Sequence, residues 1–179
     1  MSAPEVPYDR HYRESEAACG PPFVELVTFA EAHLKPGDTV LDLGCGQGRD
    51  ALVYARLGAR VHGVDVSAVG IEQLQAAATA EALSLTTEVA DLVDYRPSGR
   101  FDVVILDRVL HMLPDDDTRR RVLHLAMACT GSGGHVLVAD EPKHRELIRG
   151  ALLAGSWQLV KDTRNRTFAR KPGAGSPAG

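Results

Sequence analysis

Val40-Leu41-Asp42-Leu43-Gly44-Cys45-Gly46-Gln47-Gly48-Arg49 is the stretch on which the reading of this chain turns. It passes from a strand-like apolar segment into a glycine-rich turn and then into a helical segment. Glycines permit unusual backbone angles and let a ligand touch the main chain directly. The spacing is G-x-G-x-G. The dinucleotide fingerprint is G-x-G-x-x-G, and Arg49 stands where its third glycine would fall. Asp42 at the strand end and Asp50 at the helix start place carboxylates where a pyrophosphate would be repelled. No G-x-x-x-x-G-K-[ST] phosphate loop occurs in the chain.

Outward from this turn, short β-branched runs alternate with longer helical ones, the pattern of βαβ units and a mostly parallel sheet. Strands are predicted over residues 39–43, 60–64, 84–89, 101–106 and 134–139, with helices at about 49–57, 67–83, 115–129 and 143–154. Before them, Phe23, Val24, Leu26, Val27, Ala30 and Leu34 recur at helical spacing, and Lys35-Pro36-Gly37-Asp38 ends that helix. Gly131-Ser132-Gly133-Gly134 is expected to separate a helix from a strand. Two final runs, 157–161 and 166–170, flank a four-residue gap that can join strands only as a hairpin, so the sheet should end antiparallel. The expected fold is α/β: a Rossmann-like three-layer sandwich with a mostly parallel seven-stranded sheet and a C-terminal antiparallel hairpin.

Two further carboxylates fall at predicted strand ends. Asp65 closes Arg60-Val61-His62-Gly63-Val64-Asp65, 21 positions after Gly44, where an acidic side chain can accept both hydroxyls of a ribose. Asp91, in Val89-Ala90-Asp91-Leu92, follows the third strand, where a carboxylate can accept an adenine amino group. A ligand that carries an ammonium and a sulfonium and no phosphate, S-adenosylmethionine, suits such a setting.

These segments resemble the class I S-adenosylmethionine-dependent methyltransferases. The matching residues are Val40 to Gly48, then Val64-Asp65-Val66-Ser67, then Ala90-Asp91-Leu92. Phe101-Asp102-Val103-Val104-Ile105-Leu106 through Val109-Leu110-His111-Met112-Leu113-Pro114 complete the set, and the likeness covers about residues 21 to 171. The resemblance implies S-adenosylmethionine as cofactor and methyl transfer to a small-molecule acceptor. It implies cofactor contacts from Tyr12, Asp42, Gly44, Cys45, Gly46, Arg49, Asp65, Val66, Asp91, Leu92 and Asp107, with Asp65 on ribose, Asp91 on adenine and the glycine loop against the methionine part. His111 and Asp107 follow the fourth strand, where such enzymes bring cofactor and acceptor together, and are the candidates to orient or deprotonate a nucleophile. Gly46-Gln47-Gly48-Arg49-Asp50, with Tyr8-Asp9-Arg10-His11-Tyr12, is similar to the tellurite-resistance-type group, whose members methylate small, soft nucleophiles. Such sequences often carry a longer insertion after the fifth strand, where this chain has only Glu141 to Ser156.

Bulk properties bound the alternatives. Of 179 residues, 44% are hydrophobic and 25% charged, the balance of a globular chain. No apolar run reaches the ~20 residues of a membrane span, and Met1 to Arg10 has no signal-peptide core, so a cytoplasmic protein without a membrane partner is expected. Cys19, Cys45 and Cys129 form no CxxC pair and read as reduced thiols, with no metal site. With 20 Lys and Arg against 24 Asp and Glu, the net charge of -4 gives no attraction to nucleic acid. His62, His124, His135 and His144 share no ligand spacing, Asp115-Asp116-Asp117 suits a helix N-terminus, and Arg119-Arg120-Arg121 reads as a solvated helix face.

Three organisational units are expected: an N-terminal lid segment over 1–20, the methyltransferase domain over 21–171, and a disordered tail over 172–179. Tyr8, Arg10, Tyr12 and Arg13 lie in a stretch with no core of its own, and rings with cations suit packing over a ligand carrying a carboxylate and a sulfonium. The motifs report a cofactor rather than a reaction. A sensor that binds S-adenosylmethionine without catalysis, and a nicotinamide oxidoreductase, therefore stand as alternatives.

Overall fold

The computed structural model describes residues 6–15 and 17–173. Residues 1–5 and 16 of the expected lid segment and 174–179 of the expected tail lie outside the described residues. The chain divides into two compact units between Asp94 and Tyr95.

The first unit contains α1 (Pro7–Glu14), α2 (Val24–His33), β1 (Thr39–Leu43), α3 (Ala51–Arg56), β2 (Arg60–Asp65), α4 (Ala68–Ala80) and β3 (Leu85–Val89). β2 pairs in parallel with β1, Leu43 opposite Val64, and with β3, Asp65 opposite Val89. Val40, Leu41 and Leu43 are wholly buried in β1. This near-continuous apolar run, rather than an alternating one, is the mark of a parallel strand covered on both faces. Each such side chain contributes about 1.5–3 kcal/mol by leaving water. Tyr54 of α3, also fully buried, donates its hydroxyl to the carbonyl of Leu26 at 3.1 Å and ties α3 to α2. Ser67 caps α4 by accepting the amide of Gly70 at 3.0 Å.

The second unit contains β4 (Phe101–Asp107), a 3-10 helix (Leu110–Met112), α5 (Asp116–Cys129), β5 (Thr130–Ala139), a second 3-10 helix (Pro142–His144), α6 (Arg145–Ala154), β6 (Gln158–Asp162) and β7 (Arg166–Arg170). β4 and β5 pair in parallel, while β7 runs antiparallel to both β5 and β6. Strand order is β3-β2-β1 in the first unit and β4-β5-β7-β6 in the second, seven strands in one mostly parallel sheet with an antiparallel C-terminal end, as expected.

Two local expectations need correction, and one helix was not foreseen. Residues 7–14, with almost no apolar periodicity, form a helix: Pro7 stands at its first position, and Asp9 accepts the amide of Val6 at 3.0 Å. The Gly131–Gly134 run does not separate helix from strand, because α5 ends at Cys129 and β5 starts at Thr130. Register shifts there, with Phe101 opposite Thr130 but Val103 opposite His135. Gly134 permits this bulge, since a Cβ on it would lie 2.7 Å from the carbonyl oxygen of Asp102. Finally, Arg119 is not on a solvated face. Its guanidinium donates to the carbonyls of Leu110 at 3.0 Å and Leu113 at 2.5 Å, whereas Arg120 and Arg121 are exposed as expected. Among the described residues no helix is long and apolar enough to cross a membrane.

Candidate functional site

The glycine turn leaves the carboxyl end of β1, the end at which open parallel sheets bind ligands. Gly44, Gly46 and Gly48 all have positive φ, so the main chain reverses in a way that side chains resist. Asp65, the last residue of β2, fixes that turn from the neighbouring strand. Its Oδ2 accepts the amide of Gly46 at 2.8 Å and its Oδ1 the amide of Ser67 at 2.8 Å. Burial pushes the Asp65 carboxyl above the usual range, and these amides pull the other way. A carboxylate offers about four acceptor sites, so with the Val66 amide also acting on it Asp65 keeps capacity for a further donor such as a ribose hydroxyl.

Asp42 and Asp50 are buried beside the same turn. Oδ2 of Asp42 has no hydrogen-bond partner, and burial first, then the charge of Asp50, raise its carboxyl well above the ordinary range against the opposing pull of Arg49. Burial, followed by Asp42 and Asp65, raises the Cys45 thiol as well, so Cys45 is neutral and packs as a small apolar side chain. Acceptors and negative charge thus surround the loop, an environment that suits a cationic ligand and opposes a phosphate.

Helix α1 lies over this loop. The Tyr12 hydroxyl is 2.5 Å from the point where a Cβ on Gly46 would sit, and burial followed by the charge of Asp65 keeps that phenol protonated. Gln47 is the clamp. Its Nε2 donates to the carbonyls of Ser15 at 2.6 Å and Tyr12 at 3.4 Å and to Oε1 of Gln73 at 2.7 Å, while its Oε1 accepts the amide of Ala18 at 2.9 Å. Asp9 accepts the hydroxyl of Ser67, which holds the Asp9 carboxyl below its ordinary range. Arg49, expected on the cofactor, directs its guanidinium to the carbonyl of Cys19 at 2.9 Å, to Asp50 at 3.3 Å and over the ring of Phe23.

Of the remaining expected residues in this unit, Val66 is exposed and Leu92 buried. Asp91 is exposed just past β3 and accepts the amide of Val93 at 2.9 Å. Tyr12, Asp42, Gly44, Cys45, Gly46 and Asp65 therefore gather on one turn, and Asp91 sits one strand end away. The sequence reading missed Gln47 and Asp9, which do their work through the loop and the capping serine.

In the second unit, Asp107 is the buried last residue of β4. It precedes Arg108, whose φ of 54° is left-handed, and then the 3-10 helix that carries His111. The sequence reading also missed Asp140, just past β5. Its Oδ2 accepts the amides of Leu110 at 2.9 Å and His111 at 3.3 Å, and its Oδ1 faces Nδ1 of His144 at 2.9 Å. The strand-end rule that found Asp65 and Asp91 would have found it too. Among the described residues no group of three or more His, Cys, Asp or Glu is arranged to hold a metal ion.

Residues 40–134 match the family model described as a methyltransferase domain. The chain belongs to that family. The expected cofactor, S-adenosylmethionine, is the one the methyltransferase family uses. This methyltransferase-domain chain is 31% identical over 125 residues to a ubiquinone biosynthesis O-methyltransferase of Cupriavidus pinatubonensis, covering 69% of itself and 49% of that protein. It is 36% identical over 136 residues to a ribosomal protein L11 methyltransferase of Thermus thermophilus, covering 73% of itself and 49% of that protein. The chain thus spans about half the length of these relatives. Among solved structures, magnesium protoporphyrin IX methyltransferase from Synechocystis PCC 6803, which has S-adenosylmethionine bound, matches with a TM-score of 0.73 at 21% identity, over 95% of this chain and 86% of that one. TehB from Haemophilus influenzae matches with a TM-score of 0.68 at 20% identity, over 84% and 62%. These two likenesses show the fold.

Proposed function

We propose that this chain binds S-adenosylmethionine at the glycine turn and transfers its methyl group to a small-molecule acceptor. The observation that carries the reading is Asp65, buried at the end of β2 and bonded to Gly46 at 2.8 Å, with acceptor capacity left for a ribose hydroxyl. The unpartnered Oδ2 of Asp42 is a buried acceptor that fits an ammonium donor. Asp91 takes the adenine amino group, and α1, pinned by Gln47 and Gln73, serves as the lid, with Tyr12 on the cofactor.

The bound cofactor supplies a methyl group on a sulfonium, which leaves as a neutral thioether on in-line attack. The protein aligns the reactants, excludes water and accepts a proton where the nucleophile carries one. His111 is the first candidate for that base and Asp107 the second. The charge balance and the ubiquinone-pathway relative support a small acceptor, while the ribosomal-protein relative favours a protein acceptor as the second reading.

Calorimetry with S-adenosylmethionine and S-adenosylhomocysteine, followed by mass analysis of products from an acceptor panel that includes ribosomal protein, tests the proposal. Saturable binding with a methylated small molecule is the expected result. Binding without turnover on any acceptor would identify a sensor, and no binding would refute the site.

A further inference from the structure

We propose that Asp140 is the positioning residue for His111, and that the acceptor served by this pair carries a proton on its nucleophilic atom, as a hydroxyl does. The inference rests on His111 being the base named above. The Asp140 side chain has no exposed surface. Its Oδ1 is held by the amide of Glu141 at 2.8 Å and by Nδ1 of His144 at 2.9 Å. With that oxygen locked, the carboxylate cannot turn, and Oδ2 stays against the 3-10 helix, accepting the amides of Leu110 and His111. The same Oδ2 lies 3.5 Å from Nδ1 of the His111 ring.

That ring nitrogen is buried and has no hydrogen-bond partner, yet the His111 side chain is 22% exposed. Its exposure therefore belongs to other atoms of the side chain. The spacing of 3.5 Å is longer than a formed hydrogen bond, as catalytic contacts commonly are before a substrate is in place. A neutral imidazole beside a fixed carboxylate carries its proton on the nitrogen that faces it, which leaves Nε2 with its lone pair. An unconstrained neutral imidazole prefers the opposite tautomer, so the carboxylate has a definite effect.

The chemistry that follows is specific. The acceptor's proton moves to Nε2, and the electron pair it leaves on the acceptor atom would form the bond to the methyl carbon as the methyl–sulfur bond breaks and its electron pair departs on the neutral thioether. The resulting imidazolium is stabilised by the Asp140 charge, as in other carboxylate-histidine pairs. An acceptor that is already an anion has no use for this arrangement. Other charged or titratable groups around His111 are consistent with it. Glu141 lies close enough to feel the charge of His111 and is paired with Lys143 at 2.7 Å, and His144 holds the far oxygen of Asp140. From α5, Arg119 binds the carbonyls of Leu110 and Leu113 on either side of His111.

The tautomer is directly measurable. In the full chain labelled with 15N-histidine, at a pH where the ring is neutral, His111 signals are assigned by their loss in His111→Gln. We expect Nδ1 protonated and Nε2 bare in the wild type, and a change to mainly Nε2-protonated in Asp140→Ala. A wild-type ring with its proton on Nε2 overturns the proposal, and that reading stands even if Asp140→Ala fails to fold. A folded Asp140→Ala that keeps the wild-type tautomer overturns it as well. In the acceptor panel, O-methyl or N-methyl products that drop at least about tenfold with His111→Gln are expected. Methylation confined to thiolates, at a rate unchanged by His111→Gln, overturns the acceptor class. A wild-type rate for His111→Gln on a hydroxyl acceptor removes the base itself, whereas the tautomer still reports on Asp140 independently.

Discussion

The hydroxyl of Tyr12 stands 2.5 Å from the position that a Cβ on Gly46 would occupy, so the helix before the domain and the turn after β1 are fitted to each other through a missing side chain. Gly46→Ala should cost about 2–4 kcal/mol of stability, combining a left-handed backbone with overpacking against the phenol. Tyr12→Phe added to Gly46→Ala should restore only the overpacking part, since the backbone strain at φ 51° persists. Denaturant melts of the two single variants and the double variant give the coupling, and strict additivity would show that the ring does not press on the turn.

Asp65→Ala removes the acceptor for two backbone amides as well as the expected ribose contact. S-adenosylmethionine affinity should fall by about 2–3 kcal/mol, and the melting temperature should fall with it. Unchanged calorimetric affinity in a folded variant would sink the ribose assignment.

Asp42 makes a pH-dependent contribution of definite sign. Its carboxyl is raised well above the ordinary range, so in the folded chain it keeps a proton that the unfolded chain has already lost. Stability from this group is complete below the ordinary aspartate range and falls as pH rises towards the folded value. Asp42→Asn should therefore flatten the fall in melting temperature across that interval and raise stability near neutrality. S-adenosylmethionine and S-adenosylhomocysteine should both bind the variant more weakly, because both carry the ammonium for which Asp42 Oδ2 is the proposed acceptor. Parallel pH-dependent melts of variant and wild type would refute the account.

Gln47 holds α1 and the segment after it with both ends of one amide. Gln47→Ala should cost about 1–3 kcal/mol, and hydrogen exchange should rise across residues 8–20 while β1 and β2 keep their protection. If α1 is the lid, cofactor affinity and turnover should fall together in this variant and fall further on deletion of residues 1–14. A deletion that leaves both unchanged would place the lid elsewhere or nowhere.

The parts of this protein that are local in the chain could be read from it. The β1 run, the glycine spacing and the strand-end carboxylates Asp65 and Asp91 each declare themselves within a few residues, because a buried parallel strand requires a continuous apolar run and a tight turn requires glycine. The hairpin of β6 and β7 was legible for a similar reason, since four residues leave no other connection. Helix α1 was not legible. Its eight residues carry few apolar side chains, and its place is set by partners such as Gln47 and Ser67, 32 and 58 positions from the residues they hold.

The sequence by itself determined which residue types stand at the carboxyl ends of the strands, and with them the fold and the family. Only the tertiary structure decided which groups those carboxylates meet. Asp65 reaches Gly46 across 19 positions, and Asp140 reaches Leu110 across 30, contacts made when neighbouring strands come into register and bring their ends together. Strand pattern and turn chemistry are properties of a short segment, whereas a hydrogen bond between two strand ends exists only once the packing of the whole sheet has set their separation.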